Sequence, residues 1–434
     1  MKELKRRQFV HGGLAAFAAA LAGSSASGCG DDDGGTDSGT DSGTDSGTDT
    51  GVDTGIDTGV DAGPTTFMTR DIPAAPPLRS LIADIGPLQD PDANGVRLPA
   101  GFTSRVIATT GEVIAGTSHP WHGFPDGGAT FRTEDLGWIY TSNSEFPITG
   151  GVGAIRFDAS GNITSAYGIL ERTNVNCAGG LTPWHTWLSC EEISAGMVYE
   201  CDPWGEQPAV ARPALGVFKH EAVAVDPVRN HLYLTEDEGD GRFYRYVPDG
   251  MNPNGFPNLE AGTLEVAVVD GDGNVTWAAV PDPQNVDGTP TRRQVDSSRA
   301  FDGGEGIWYH DDIIYFSTKG STRVWAFDIG ASTISVLYDG EALADPPLTG
   351  VDNITVSCCG DVLVAEDGGS MQIVAIPPDG DPFPVMQIVG QDSSEITGPA
   401  FDPSGTRLYF SSQRGTDGNG ITYEVTGPFH EPAS

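Results

Sequence analysis

Six residues stand at a repeating distance along the chain, each just ahead of a β-like segment: Asp126, Cys177, Glu221, Glu305, Asp352 and Thr397. A second polar residue follows each by 14 to 17 positions, at the end of an apolar run: Asn143 (with Glu145 close behind), Glu191, Glu236, Lys319, Glu366 and Gln413. Four acids and a thiol in the first series would repel one another if they met, unless a cation sat among them. Carboxylate oxygens suit calcium, whereas a thiolate selects a softer transition metal. The expected donors are therefore Cys177, Glu221, Glu305 and Asp352, joined by Glu145 and Glu191 from the second series, in a mixed centre holding iron and calcium. Lys319 is the lone cation at a register position and reads as a counter-charge or a contact for substrate phosphate.

The spacing also says what must position these groups. Within each series the gaps are about 45 residues, with one near 84. A period of that size, with several short strands per unit, marks a β-propeller, in which equivalent positions of every blade turn toward one axis. Helical periodicity is nearly absent. Short apolar or alternating runs bounded by Gly, Pro, Asp and Asn replace it, as in residues 221–226 and 231–236, a hairpin turned at 227–230. The phrase recurs six times, which predicts an all-β, six-bladed propeller with a central metal site. An insertion at 248–300, rich in Pro, Gly and Asn, could conceal a seventh blade. Residues 103–108 form a strand-like run ahead of the first blade, suited to close the ring as the outer strand of the last one.

Residues 1–29 read as a twin-arginine signal. Arg6 and Arg7 precede an apolar run too short to span a bilayer, and a lipobox-like Ala-Ser-Gly-Cys ends at Cys29. Residues 30–65 are almost wholly Asp, Thr, Ser and Gly, a composition that cannot bury enough surface to fold and that reads as a tether. Residues 66–434 form the globular domain. The expected location is outside the cytoplasm, in the periplasm or at the cell surface, held by a lipid anchor. The net charge is −38, and the domain alone carries −31, which argues against nucleic acid as a partner and suits calcium. Nothing in the pattern calls for more than a monomer. Five cysteines lie beyond Cys29, an odd number that leaves at least one thiol unpaired, with Cys177 the candidate; Cys190 and Cys201 could bridge within a blade. His119 and His122 make a weak zinc-type pair. His220, beside Glu221, reads as packing or hydrogen bonding behind a ligand. No nucleophile elbow, P-loop or dinucleotide fingerprint is present.

The Asn-Cys-Ala-Gly-Gly-Leu-Thr-Pro-Trp run at 176–184 and the Thr-Trp-Leu-Ser-Cys-Glu-Glu run at 186–192 resemble the central signature of PhoX-type alkaline phosphatases. Phe-Lys-His-Glu-Ala at 218–222, Thr-Glu-Asp at 235–237, Ser-Thr-Lys-Gly at 317–320, Asp-Asn at 352–353 and Glu-Asp-Gly at 366–368 continue the likeness. The resemblance implies a propeller that holds iron and calcium and hydrolyses phosphate monoesters. Carried over, Cys177, Glu221, Glu305 and Asp352 are metal ligands. Asn143 and Glu145 stand where the family shows Asn-His-Glu, with Ser144 replacing the histidine, so Asn143 and Lys319 are the expected catalytic groups. Where active members show Arg-Pro-Glu, this chain has Gly303-Gly304-Glu305. Lys319, or Arg299 from the insertion, would have to replace that arginine. Three functions are thus weighed: a metal-dependent phosphomonoesterase acting on a small phosphate ester, a non-catalytic metal-stabilised binding propeller on the cell surface, and a calcium-dependent propeller lactonase or esterase.

Overall fold

A computed structural model describes residues 67–378 and 380–433; the signal and tether regions lie outside the described residues. Six antiparallel sheets account for nearly all regular structure, and the helical turns among the described residues are five 3-10 turns of three residues each. Blade 1 runs Pro125–Arg132, Trp138–Ser144, Gly150–Phe157 and Ile163–Thr173; blade 2 runs Asn176–Leu181, Trp187–Glu191, Val198–Cys201 and Val210–Ala211. Blade 3 begins at His220–Val225, blade 4 at Gly304–His310, blade 5 at Ile354–Val356 and blade 6 at Ile396–Phe401. The first strands of successive blades touch in order, and that of blade 6 touches that of blade 1, so the ring closes at six.

The insertion holds no seventh blade. Gly262–Val269 and Val275–Ala279 add fourth and fifth strands to blade 3 instead. Thr103–Thr109 pairs with Ile421–Thr426 as the outer strand of blade 6, as the sequence led one to expect, so a segment from before blade 1 latches the ring. Val96–Arg97 likewise joins the outer edge of blade 5, and Leu78–Ser80 pairs with His430–Pro432.

Each gap between blades has its own apolar core. Leu232 and Leu234 pack toward blade 2 with Leu188 and Val198, while Tyr233, between them in sequence, packs toward blade 4 with Phe243 and Phe316. Strand alternation thus feeds both neighbours, which is why the second strands of the blades read as continuous apolar runs rather than as alternating ones.

All five cysteines in the described residues are free. Cys190 lies opposite Val198 and Cys201 opposite Trp187, on different rungs of the same ladder, so the bridge left open by the sequence does not form.

Candidate metal centre at the propeller axis

The innermost strands are irregular in the same place. Their ladders slip between Pro125 and Gly128, Asn176 and Gly179, His220 and Val223, Gly304 and Ile307, and Thr397 and Ala400. In blades 1 to 4 the slip is a bulge containing the first-series residue and the small one after it, Asp126-Gly127, Cys177-Ala178, Glu221-Ala222 and Glu305-Gly306; in blade 6 Thr397 stays paired with Ser411 and the bulge is Gly398-Pro399. Bulges re-aim side chains, and here they free the polar residue from the pleat while the small one faces the closely packed centre. A Cβ on Gly127 would lie 2.5 Å from Ala178 Cα, and one on Gly306 would collide with Ile354 N. Gly127, Ala178, Ala222, Gly306, Asn353 and Gly398 line an axial cavity of about 20 Å³, room for roughly one water molecule.

The second strand of each blade brings its end back beside the start of the first, so both series sit at one end of the axis. The backbone N–H groups of Glu145, Glu192, Lys319 and Gln413 donate to Phe124, Val175, Gly303 and Glu395 O, always two residues before the first-series position. Glu145, Glu192, Lys319 and Gln413 are therefore structural equivalents. This places two expected residues elsewhere. Glu191 is not in the pit: its carboxylate accepts the N–H groups of Asn174 (2.9 Å) and Met197 (3.2 Å), and Glu192 takes its place. Asn143, expected as a catalytic group, is fully buried with its amide fully engaged. Its amide donates to Cys177 O (3.2 Å) and Ala178 O (2.7 Å) and accepts from Trp187 Nε1 (2.8 Å) and Ser189 Oγ (3.0 Å), tying blade 1 to blade 2 and fixing the backbone at Cys177. Glu236 and Glu366 behave like Glu191, while Asp237 and Asp367, one position on, interact with the central charges. Thr397 turns its hydroxyl to Pro125 O.

Three groups of potential donors result, the ligand atoms of each lying within 4.8 Å of one another: Glu145, Cys177 and Glu192; Asp126, Glu145 and Glu395; Glu221, Glu305 and Asp352. Asp126, Glu192 and Glu395 are missing from the expected set of donors. The first group contains sulfur and the other two are all-oxygen, which splits the expected mixed centre into a softer corner and a hard one. Cys177 Sγ lies 3.2 Å from Glu221 Oε1, joining the two, and Glu221 Oε2 is buried without a hydrogen-bond partner.

Electrostatically the pit is unbalanced. Burial, then Glu305 and Glu192, pushes Glu221 far above the ordinary carboxylate range; burial, then Asp126 and Glu395, does the same to Asp352. Burial with Glu192 and Glu395 raises Glu145 to about 8, and burial chiefly raises Glu395 to about 7. The Cys177 thiol is raised by burial and by Asp126 and Glu221. Three cations answer these acids. Lys319 Nζ is 2.7 Å from Glu305, Lys219 bridges Glu192 (2.8 Å) and Asp237 (2.9 Å), and Arg414 pairs with Glu395. Despite its burial, Asp237 is held at about 2 by Lys319 and Lys219. A buried acid with a free oxygen beside two others is the state that a cation relieves, and the residues present fit one.

Arg299 does not replace the missing arginine; it lies over the Trp325 ring at 4.8 Å. Gly303 sits at φ +66°, in the left-handed region, so an arginine at that position would strain this backbone. Gln413 Nε2 donates to Asp126 and Glu145, and His220, next to Glu221, packs on Phe218 and bonds Gly216 O (3.0 Å). His119 and His122 line a separate side cavity of about 290 Å³.

Fold and site together define a six-bladed propeller with an acid- and thiol-lined pit at one end of its axis. The family to which this pattern points is alkaline phosphatase PhoX, whose model matches residues 129–201 and 194–329. Among solved structures, PhoX of Pseudomonas fluorescens in complex with vanadate superposes with a TM-score of 0.65 at 17% identity, over 84% of this chain and 98% of that one. At that identity the likeness establishes the fold. A gluconolactonase from Xanthomonas campestris, at 15% identity over 82% of this chain and 99% of that one, reaches a TM-score of only 0.42, too low to bear on function. No curated protein sequence matches the chain.

Proposed function

We propose that the chain is an exported, metal-dependent phosphomonoesterase of the PhoX type, with the axial pit as its active site. The observation that carries this is the convergence of Glu221, Glu305 and Asp352, three buried carboxyls within 4.8 Å that cannot all ionise unaided. Glu145, Cys177 and Glu192 would hold the softer ion, iron, and Glu221, Glu305, Asp352, Asp126 and Glu395 would hold calcium. Bound there, such ions polarise phosphoryl oxygens and lower the pKa of a nucleophile. The chain's own part is positioning. Lys319 and Arg414, with side chains 42% and 39% exposed, stand where the pit meets solvent and offer N–H donors to phosphate oxygens. Glu305 and Asp237 orient the first, Glu395 the second. Asn143 holds Cys177 from behind.

Elemental analysis of protein exported by its own signal, run beside aryl phosphate and lactone assays, tests this. Expected are iron with calcium and turnover of the phosphate ester alone. Gly303 in place of the arginine favours one rival, a metal-stabilised binding propeller without catalysis, and a metal-loaded protein inert to phosphate esters would establish it. Calcium alone with lactone hydrolysis would instead make it a lactonase. For export and lipid anchoring, replacing Arg6 and Arg7 with Lys is expected to leave the protein in the cytoplasm; normal membrane-associated yield would refute the twin-arginine route.

A further inference from the structure

Away from the axis, a second set of ligand-type residues comes together where the chain's two described ends meet blade 5. Cys358 and Cys359 lie in the turn after the first strand of that blade, and His430 opens the strand paired with Leu78–Ser80. Their ligand atoms lie within 4.8 Å of one another. The turn is built to present the sulfurs. Ser357 Oγ accepts the N–H groups of Cys359 (3.1 Å) and Asp361 (3.2 Å) and donates to Asp361 Oδ2 (2.5 Å), while Gly360 takes φ +94°.

His430 supplies the independent observation. It is 3% exposed, and its Nδ1 lies 2.7 Å from Gly405 O, a carbonyl that can only accept, so Nδ1 carries the proton. Nε2 is buried without a hydrogen-bond partner and lies 3.9 Å from Asp361 Oδ2. An unmet buried acceptor costs about 1–3 kcal/mol, and a backbone carbonyl fixing the far ring nitrogen is the usual support behind a ligating histidine. The two sulfurs are 3.7 Å apart. In a tetrahedral site with metal–sulfur bonds of about 2.3 Å, thiolates lie about 3.8 Å apart.

We infer that Cys358, Cys359 and His430 form a three-donor site for zinc or a similar thiophilic divalent ion. His430 lies in the strand paired with Leu78–Ser80, so the ion would staple these two strands to the fifth blade. The site is independent of the axial chemistry.

Cobalt(II) is the probe, because thiolate coordination gives it a near-ultraviolet charge-transfer band. The experiment uses the full chain carrying Cys177→Ala, which removes the axial thiol. One equivalent of cobalt is expected to produce the band, zinc to bleach it, and two thiols to become protected from a thiol reagent. Cys358→Ser, an exposed position where misfolding is not expected, should weaken cobalt binding at least tenfold. His430→Gln should do the same, and zinc should raise the Tm of the Cys177→Ala protein but not of its Cys358→Ser derivative. A cobalt complex without a thiolate band, a band that survives Cys358→Ser, or a mass showing Cys358 and Cys359 joined as a disulfide in the purified protein would overturn the site.

Discussion

Two sets of carboxylates, equally buried, lie a few residues apart in these blades. Glu191, Glu236 and Glu366 accept hydrogen bonds on both oxygens: Glu366 takes Thr349 N (3.0 Å), Thr349 Oγ1 (2.8 Å) and Ser370 N (3.0 Å), and Glu236 takes Tyr244 Oη (2.8 Å), Arg242 N (3.2 Å) and Arg292 (3.2 Å). Glu221, by contrast, has a thiol on one oxygen and nothing on the other, and Glu305 has Lys319. Burial alone does not separate a structural acid from a ligand. The count of donors does. The first set ties down the inner turns, and the second keeps carboxylate oxygens free for the proposed cation.

The largest effect expected from this contrast is the pH response of metal-free protein. Glu145 and Glu395 have folded-state pKa values raised to about 8 and about 7, so the stability linked to them is complete below the unfolded value and is lost as pH rises through the folded one. Chelated protein should therefore lose thermal stability steadily from about pH 5 to pH 8, whereas loaded protein should hold most of it. Glu236, raised to about 7 by burial, leaves a smaller slope in both forms. Parallel Tm curves for loaded and chelated protein would contradict the assignment.

The two sets can also be broken separately. Glu366→Gln is expected to cost about 1–3 kcal/mol in denaturant unfolding, because backbone donors lose their acceptor, while metal content stays unchanged. Glu221→Gln should lower metal content yet raise the Tm of the chelated protein, since it removes a buried acid from among its like. If both substitutions destabilise the chelated protein equally, the contrast fails.

A smaller effect is expected at the mouth of the pit. Lys319→Met should raise KM for an aryl phosphate about tenfold, about 1.4 kcal/mol. A fall in metal content with KM unchanged would make the lysine a counter-charge to Glu305 only.

Much of this was legible in the sequence, and the gaps have physical causes. The first series could be read because its residues head strands of a repeating unit, and the latch at Thr103–Thr109 because the ring needs an outer strand at its seam. Alternation predicts that one acid of each doublet faces inward, but the loops after the second strands differ in length, so the sequence could not show that Glu192 rather than Glu191 does so. Glu395 was missed because it precedes its strand by one residue and belongs to neither series. One signal was present and unread: a small residue or asparagine follows every first-series position, which a bulge beside a crowded axis requires. The insertion hid two ordinary strands because its Pro, Gly and Asn cluster in the turns around them.

The most direct test of the centre is Cys177→Ala, with iron and calcium measured in purified protein beside its visible spectrum. Cys177 is the sulfur among the axial donors, 3.2 Å from the all-oxygen group at Glu221. Iron and any thiolate-to-metal absorption should be lost, while calcium and the fold largely persist on the carboxylates. Full iron content in the mutant would contradict the centre described here and leave the acids of the pit to calcium alone.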